Sequence, residues 1–251
     1  MKDSIHVVSL SGGKDSSAML LGMINRHMPI DEILFFDWGK EFSGMYQHLD
    51  QLQDYVYRKI RRDITILSSQ QPFEYWLFEH RKTTRSRYTV LGYGWPRYRH
   101  RWCTRIKVNA LNKTINQYKK HAPVIQYIGY AIEEEGRAQR LLNKNFYYKF
   151  PLIDWKMTEQ AALKYCYDMG FQWEGLYEIF FRVSCFCCPL SSQLGLFKLY
   201  KYFPEYWEKM AEWDKQTFNT LKQDYSFEYL EKKFQGMIKQ KCLFEDTQHI
   251  V

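Results

Sequence analysis

The 251-residue sequence has no apolar run that approaches the roughly 20 residues needed for a membrane-spanning helix. It also has no signal-peptide pattern at its start, because Lys2 and Asp3 lead directly into a short strand-like run. It contains no internal repeat, and its 45% hydrophobic and 25% charged residues exclude a disordered or collagen-like chain. We therefore expect a cytoplasmic protein built as one large domain, or as a core domain with an appendage.

Acidic residues are in the minority. The chain has 28 Asp and Glu residues and 36 Lys and Arg residues, which gives a net charge of +8 and predicts an anionic partner. Aromatic residues make up 18% of the chain. That share indicates a large core together with surfaces on which rings can stack.

Short apolar runs alternate with helical patterns over the first two-thirds of the chain. Strands are predicted at 5–10, 33–36, 64–67 and 124–128, and helices at 17–28, 43–61 and 158–169. This alternation predicts an α/β fold, with an open parallel sheet flanked by helices in the Rossmann-like manner. Residues 191–251 predict a helical C-terminal extension, so we place a domain boundary between 1–190 and 191–251.

A glycine turn follows the first predicted strand and opens the first helix, with the sequence Ser-Gly-Gly-Lys-Asp-Ser at 11–16. Its backbone N–H groups and the positive end of the helix dipole suit a phosphate or pyrophosphate. Gly12 and Gly13 allow the backbone to approach the anion closely, while Ser11, Ser16 and Lys14 can add hydroxyl donors and a charge. The spacing differs from the Walker P-loop. An ordinary strand-to-helix turn is the alternative.

Three carboxylates, Asp15, Asp37 and Glu134, follow the ends of predicted strands. The carboxyl edge of an open parallel sheet is where ligands bind. Carboxylates at that edge suit a Mg²⁺ ion that bridges nucleotide phosphates. Helix caps or solvated surface groups are the alternatives.

The cysteines do not suggest a disulfide framework, since a reducing cytoplasm keeps thiols reduced. Cys185 and Cys188 form a C-x-x-C pair that can place two thiolates on one metal, with Cys187 adjacent and Cys103 as a distant fourth ligand. Zinc, an iron–sulfur cluster and a redox pair all fit such a pair, and buried thiols are the alternative. Cys166 lies in an apolar helical pattern and is predicted to be a core residue.

The segment 81–107 carries nine Lys or Arg residues and no Asp or Glu, with Tyr and Trp residues between them. Guanidinium groups and aromatic rings together make a surface for phosphates and stacked bases. We predict a loop that binds a nucleotide, tRNA or DNA. The alternative is a basic loop that docks on acidic residues of the helical extension.

The sequence resembles the PP-loop, adenine nucleotide alpha-hydrolase superfamily, whose motif S-G-G-x-D-S matches residues 11–16. Four further segments are similar to its phosphoadenosine phosphosulfate (PAPS) reductase-like branch: D-W-G-K-E at 37–41, Y-I-G-Y-A-I-E-E-E-G-R at 127–137, F-P-L-I-D-W at 150–155 and C-F-C-C-P at 185–189. The resemblance covers about residues 5–190. The sequence departs from the reductases at Trp38 and Ala131 and contains no Glu-Cys-Gly, while Cys242 lies in Lys-Cys-Leu.

The resemblance implies an adenine nucleotide (ATP, PAPS or APS) bound with Mg²⁺. The implied nucleotide-binding residues are Ser9, Ser11, Gly12, Gly13, Lys14, Asp15, Ser16, Asp37 and Gly129. The implied catalytic residues are Lys14, Asp15, Glu134 and Arg137. Some relatives of this branch build a [4Fe-4S] cluster from cysteines, which here would be Cys103, Cys185, Cys187 and Cys188, with zinc as the alternative.

The first functional hypothesis is an ATP-dependent enzyme that splits ATP into AMP and pyrophosphate and transfers sulfur to a small molecule or a nucleic acid. The second is a PAPS or APS reductase that works with a thioredoxin-like protein. The third is a non-catalytic nucleic-acid-binding protein. A sulfur donor is a further expected partner, and oligomerisation is left open.

Overall fold

The computed structural model describes residues 4–81, 91–142 and 147–246. The chain forms two compact units. The first, which we call the sheet unit, comprises Met1–Gln70 and Thr104–Ser184, and the second, the cysteine unit, comprises Gln71–Cys103 and Cys185–Val251. The domain boundary predicted at residue 190 stays a prediction.

The sheet unit contains a parallel sheet of five strands. These are β1 (Ile5–Leu10), β2 (Glu32–Asp37), β3 (Ile64–Ser68), β4 (Val124–Ile128) and β5 (Tyr147–Lys149), in the order β3-β2-β1-β4-β5. In the register, Val8 of the central strand β1 pairs with Ile33 on one side and with Tyr127 on the other. The predicted parallel α/β fold is therefore confirmed. β5 was missed because three residues are too few for a periodic signal.

Seven helices of this part of the chain follow or flank the strands. They are α1 (Lys14–Asn25), α2 (Ser43–Ile60), α3 (Trp102–Tyr118), α4 (Glu135–Leu142), α5 (Pro151–Asp154), α6 (Glu159–Asp168) and α7 (Leu176–Ile179). α1 begins three residues before the predicted start, because Gly13 serves directly as its N-cap. Thr158 caps α6 by accepting a hydrogen bond from the Ala161 amide (3.0 Å).

The core of the sheet unit lies on both faces of the sheet. One cluster joins Val7, Leu34 and Val124 of three adjacent strands to Ile115 of α3. α1 is buried almost all round, so it reads as apolar rather than amphipathic. Cys166 is fully buried and its thiol donates to the Lys14 carbonyl (3.6 Å), which agrees with the prediction of a core cysteine.

The cysteine unit contains α8 (Gln193–Tyr202), α9 (Pro204–Gln216), α10 (Phe227–Asp246) and a short π-helical segment at Tyr75–Glu79. Its interior is aromatic, with Trp95, Trp102 and Trp207 almost completely buried. The helical character predicted after residue 190 is present. Within the described ranges, no helix has both the length and the apolar character to span a membrane.

The basic segment 81–107 corrects one expectation. Its residues 82–90 lie outside the described part of the chain, but α3 begins at Trp102, so residues 102–107 are helical rather than loop. Residues 91–101 do form a loop, in which Gly92 has φ +71°. A β-carbon on Gly92 would stand 2.1 Å from the Leu77 carbonyl oxygen, so only glycine fits there.

Candidate functional site

The glycine turn lies at the point where the strand order reverses. From β1 the chain continues on one side to β2 and β3, and later adds β4 and β5 on the other side. In open α/β sheets the crevice at the carboxyl ends of the strands on either side of such a point is the usual ligand site. The turn at residues 11–16 follows β1, and Gly129 follows β4, so both border this crevice.

The two serines of the turn hydrogen-bond within it. The Ser11 amide donates to Ser16 Oγ (3.1 Å), and Ser16 Oγ in turn donates to the Gly13 carbonyl (3.0 Å). Because Ser16 has a single hydroxyl hydrogen, the 2.9 Å contact between the two Oγ atoms is donated by Ser11. The hydroxyls predicted to bind an anion therefore order the turn instead.

The two glycines permit close approaches. Gly12 has φ +78°, and a β-carbon there would meet Met45 Sδ at 2.7 Å. A β-carbon on Gly129 would lie 2.7 Å from Ser16 Cα and 2.8 Å from Ser16 N. The end of β4 thus abuts the first turn of α1, which explains a glycine at position 129 in physical terms.

Lys14 is buried, and its ammonium group lies between two carboxylates. Lys14 Nζ donates to Asp15 Oδ2 (3.1 Å) and to Glu159 Oε2 (2.7 Å). Burial by itself lowers the pKa of Lys14, but the hydrogen bond to Glu159 and the charge of Asp15 outweigh this effect and raise it. Lys14 remains charged, and in this arrangement its charge is directed to the protein's own carboxylates.

Asp15 combines a raised pKa with a buried carboxylate oxygen that has no hydrogen-bond partner among the described residues. Burial raises the pKa of Asp15 to about 6, with Lys14 opposing the rise and the charges of Glu159 and Glu134 adding to it. Its Oδ1 atom is buried and accepts no hydrogen bond from any residue of the described ranges. An orphaned carboxylate oxygen beside a turn that is predicted to bind phosphate fits a bound cation such as Mg²⁺.

Asp37 and Ser9, two other predicted nucleotide-binding residues, have partners within the sheet unit. Asp37 Oδ1 accepts from the Gly39 amide (2.7 Å) and from the Tyr46 hydroxyl (3.0 Å), which closes the turn after β2. Ser9 Oγ accepts from Gln126 Nε2 (2.7 Å) across β1 and β4. Both residues shape the strand ends that border the crevice.

Glu134 and Arg137, predicted to border the site, form an ion pair with each other in the segment after β4. The Arg137 guanidinium also lies 4.6 Å above the centre of the Tyr130 ring. Arg137 is about half exposed, so its guanidinium is accessible from solvent while it is paired with Glu134.

Three residues that the sequence did not single out contact the turn. Trp173 Nε1 donates to the Gly12 carbonyl (2.8 Å), the Lys14 amide donates to the Tyr177 hydroxyl (2.8 Å), and Glu159 pairs with Lys14 as described above. They lie about 150 residues from the turn in sequence. Single-sequence patterns report no pairing at that distance, so no signal could have found them.

The four predicted cysteine ligands all belong to the cysteine unit. Cys187 is buried, whereas Cys103, Cys185 and Cys188 are partly exposed. The Cys188 amide donates to the Cys185 carbonyl (3.1 Å), which closes a tight turn. Across the described residues, no three His, Cys, Asp or Glu side chains are grouped as ligands of one metal ion. The metal site predicted on these four cysteines therefore stays a prediction.

In the described part of the basic segment, one Arg binds backbone carbonyls and another lies beside an exposed aromatic ring. Arg97 donates to the carbonyls of Leu221 (3.1 Å) and Thr220 (2.6 Å), so it docks within the cysteine unit. Tyr98 is 75% exposed, and the Arg101 guanidinium lies 4.6 Å over its ring. An exposed ring beside an Arg is the kind of surface on which a base can stack.

A protein-family model described as the phosphoadenosine phosphosulfate reductase domain matches residues 5–191. The chain belongs to the phosphoadenosine phosphosulfate reductase family. The PP-loop resemblance found in the sequence is thereby confirmed. The match includes the glycine turn, Gly129 and the cysteine-bearing turn at 185–188.

Two individual proteins are similar to this family member. The protein MJ0066 of Methanocaldococcus jannaschii is 26% identical over 219 residues, which cover 81% of this chain and 40% of that protein. The chain thus spans less than half the length of that curated relative. Among solved structures, the U34-tRNA thiolase NcsA from Methanococcus maripaludis with its [4Fe-4S] cluster aligns with a TM-score of 0.44 and 14% identity. The alignment covers 94% of this chain and 72% of the thiolase chain.

Proposed function

We propose that this family member binds an adenine nucleotide at the glycine turn and splits ATP into AMP and pyrophosphate to drive sulfur transfer to a small molecule or a nucleic acid. The observation that carries the proposal is the buried, orphaned Oδ1 of Asp15, beside the N-terminus of α1 at the reversal of strand order. Carboxylates with raised pKa values in clefts are characteristic of functional sites.

The residues of the turn would hold the pyrophosphate. Gly13 gives α1 no side-chain cap, so the positive end of the helix dipole is directed at the crevice, while the Lys14 amide donates to the Tyr177 hydroxyl. Asp15 would hold Mg²⁺, which when bound neutralises charge on the phosphates. Lys14 offsets part of the negative charge of Asp15 and Glu159. Catalysis would then consist of positioning and electrostatic stabilisation at phosphorus.

The second candidate function is reduction of PAPS or APS, which the description of the matching family model favours. The two candidates share the nucleotide site and differ in their products. ATP-dependent transfer releases AMP and pyrophosphate, whereas reduction releases sulfite in the presence of thioredoxin. A nucleic-acid-binding function without catalysis would give neither product, and its binding would weaken steeply with salt.

The metal centre on the cysteines is a prediction separate from the nucleotide site, and the described residues show no group of three ligands. Anaerobic purification followed by metal and sulfide analysis tests the cysteine hypothesis directly. Iron with acid-labile sulfide and a brown colour would support a cluster on Cys103, Cys185, Cys187 and Cys188. Stoichiometric zinc in a colourless protein would indicate a structural site.

The nucleotide proposal is tested by comparing two glycine substitutions. Gly129→Ala forces a β-carbon against the Ser16 backbone at 2.7 Å, whereas Gly136→Ala meets no atom within 4 Å. With Mg²⁺, α-labelled ATP, sulfide and bulk tRNA, we expect wild type and Gly136→Ala to release AMP. Gly129→Ala should lose at least 90% of this release while remaining folded, roughly the effect of 1.4 kcal/mol at the site. Equal AMP release from all three proteins would refute the placement of the nucleotide, and sulfite release from PAPS instead of AMP release would favour the reductase.

A further inference from the structure

Tyr177 follows a segment of unusual backbone conformation. Trp173, Glu174 and Gly175 have φ values of 50°, 49° and 77°, so three consecutive residues lie in the left-handed region and two of them are not glycine. Such conformations persist only where the surrounding structure determines them, and they concentrate at functional sites. Here the α2 residue Gly44 permits the contact, because a β-carbon on it would lie 2.7 Å from the Trp173 carbonyl oxygen.

The strained segment fixes an aromatic stack against the glycine turn. The Trp173 ring lies 4.1 Å from the ring of buried His48 in a stacked arrangement, and its Nε1 donates to the Gly12 carbonyl. The Tyr177 ring meets the Trp173 ring edge-on at 4.8 Å. The position of Tyr177 is therefore set by contacts to the same turn that is proposed to hold the nucleotide.

The Tyr177 hydroxyl lies directly over the turn. Its oxygen accepts the Lys14 amide hydrogen (2.8 Å), and it is the nearest atom that a β-carbon on Gly13 would meet, at 3.2 Å. A tyrosine hydroxyl also has one hydrogen to donate. Within the ranges that the structure describes, that hydrogen has no acceptor. Burial raises the pKa of Tyr177, so the hydroxyl retains its proton at neutral pH.

We propose that the Tyr177 hydroxyl is a direct ligand of the nucleotide's pyrophosphate group, relaying the Lys14 amide by donating its own hydrogen to a phosphate oxygen. This inference rests on the proposed nucleotide site and adds a binding residue from α7 to it. It also explains why the Lys14 amide, an N–H group of the first helical turn, donates to the Tyr177 side chain and not directly to the anion. A hydrogen-bond chain of this kind carries the dipole of the helix N-terminus outward to the ligand.

The opposite arrangement predicts an effect of opposite sign. If Tyr177 merely covered the turn, a phosphate oxygen would compete with its hydroxyl for the Lys14 amide. Removing the hydroxyl would then strengthen anion binding. The sign of the change therefore separates a ligand from an obstruction.

The test compares Tyr177→Phe with Tyr165→Phe. Each loses one hydroxyl that accepts a hydrogen bond, from the Lys14 amide (2.8 Å) and from Asn25 Nδ2 (2.7 Å) respectively, and each keeps its ring. Dissociation constants for Mg²⁺-pyrophosphate, Mg²⁺-ATP and adenosine would be measured by calorimetry on the full chain. We expect Tyr177→Phe to weaken pyrophosphate and ATP binding by roughly 10- to 100-fold, the range for a hydrogen bond to a charged group. Adenosine binding should stay unchanged, and Tyr165→Phe should match wild type.

Three other outcomes of these binding measurements would refute either the assignment of Tyr177 or the proposed function. Unchanged or stronger pyrophosphate binding by Tyr177→Phe, in a protein whose wild type binds it, refutes the assignment of Tyr177 and leaves the nucleotide site standing. Equal weakening of adenosine and pyrophosphate refutes a phosphate ligand and indicates a general change of the site. A wild type that binds neither ATP nor pyrophosphate refutes the proposed function together with this inference.

Discussion

Replacing Asp15 with Asn is expected to stabilise the folded chain at neutral pH while impairing the proposed site. Burial raises the pKa of Asp15 from 3.8 to about 6, so the fold favours the protonated carboxyl group. At pH 7.5 the group is nevertheless ionised, and the fold carries the cost of a buried carboxylate that Lys14 only partly offsets. Asn resembles the protonated form in shape and removes that cost.

The magnitude follows from linkage between proton binding and folding. A change in the pKa of Asp15 from 3.8 to about 6, at about 1.4 kcal/mol per pKa unit, means that the ionised carboxylate lowers the free energy of unfolding by about 3 kcal/mol above pH 6. Because the folded pKa lies above the unfolded one, the chain has its full stability below pH 3.8 and loses these roughly 3 kcal/mol as pH rises through about 6. The Lys14 attraction is already contained in the folded value. Between pH 4 and pH 7.5 the free energy of unfolding of wild type should therefore fall by about 2 kcal/mol relative to the variant.

Urea unfolding at pH 4 and at pH 7.5 measures this difference, with Asp168→Asn as the control. Asp168 lies on α6 with its side chain 58% exposed, in an ion pair with Lys164, so its removal should change the free energy of unfolding by less than about 0.5 kcal/mol. An Asp15→Asn variant that is less stable than wild type at pH 7.5 would refute the reasoning. A stability difference that does not vary with pH would refute it equally.

Two further predictions concern packing and the cysteines. Gly44→Ala should lower the free energy of unfolding in urea by about 1–3 kcal/mol, because its β-carbon would press on the Trp173 carbonyl. The same variant should weaken ATP binding measured by calorimetry. Gly136→Ala, with open space around it, should do neither. Cys185→Ser should abolish sulfur transfer, measured by labelled sulfide incorporation, while Cys242→Ser leaves it unchanged. Loss of sulfite release on Cys242→Ser would instead support the reductase.

The fold could be predicted because its signals are local. The β1 run at Ile5–Leu10 and the glycines at 12 and 13 each act within a few residues, and their spacing sets strand, turn and helix. The same holds for the Thr158 cap of α6. Elements without a local signal escaped prediction, as the three-residue β5 shows.

The candidate site was only half predictable, for a physical reason. The turn at 11–16 and Gly129 have sequence signatures, because their requirement is steric and belongs to the backbone. Glu159, Trp173 and Tyr177 act through single hydrogen bonds to that turn, which any residue with a suitable donor or acceptor could make. Only the folded chain specifies which side chains complete the turn.

The charges around the turn constrain what it can bind. Lys14 and Arg137 supply two positive charges, whereas Asp15, Glu159 and Glu134 supply three negative ones, and both cations are already paired within the set. The side chains nearest the turn thus carry a net charge of about −1 and cannot by themselves attract a polyphosphate. Among the described residues at the turn, backbone N–H groups, the Tyr177 hydroxyl and a cation held by Asp15 are groups that can offset the phosphate charge. Nucleotide binding here should therefore depend on Mg²⁺, which would also restore the ionised carboxylate that burial disfavours.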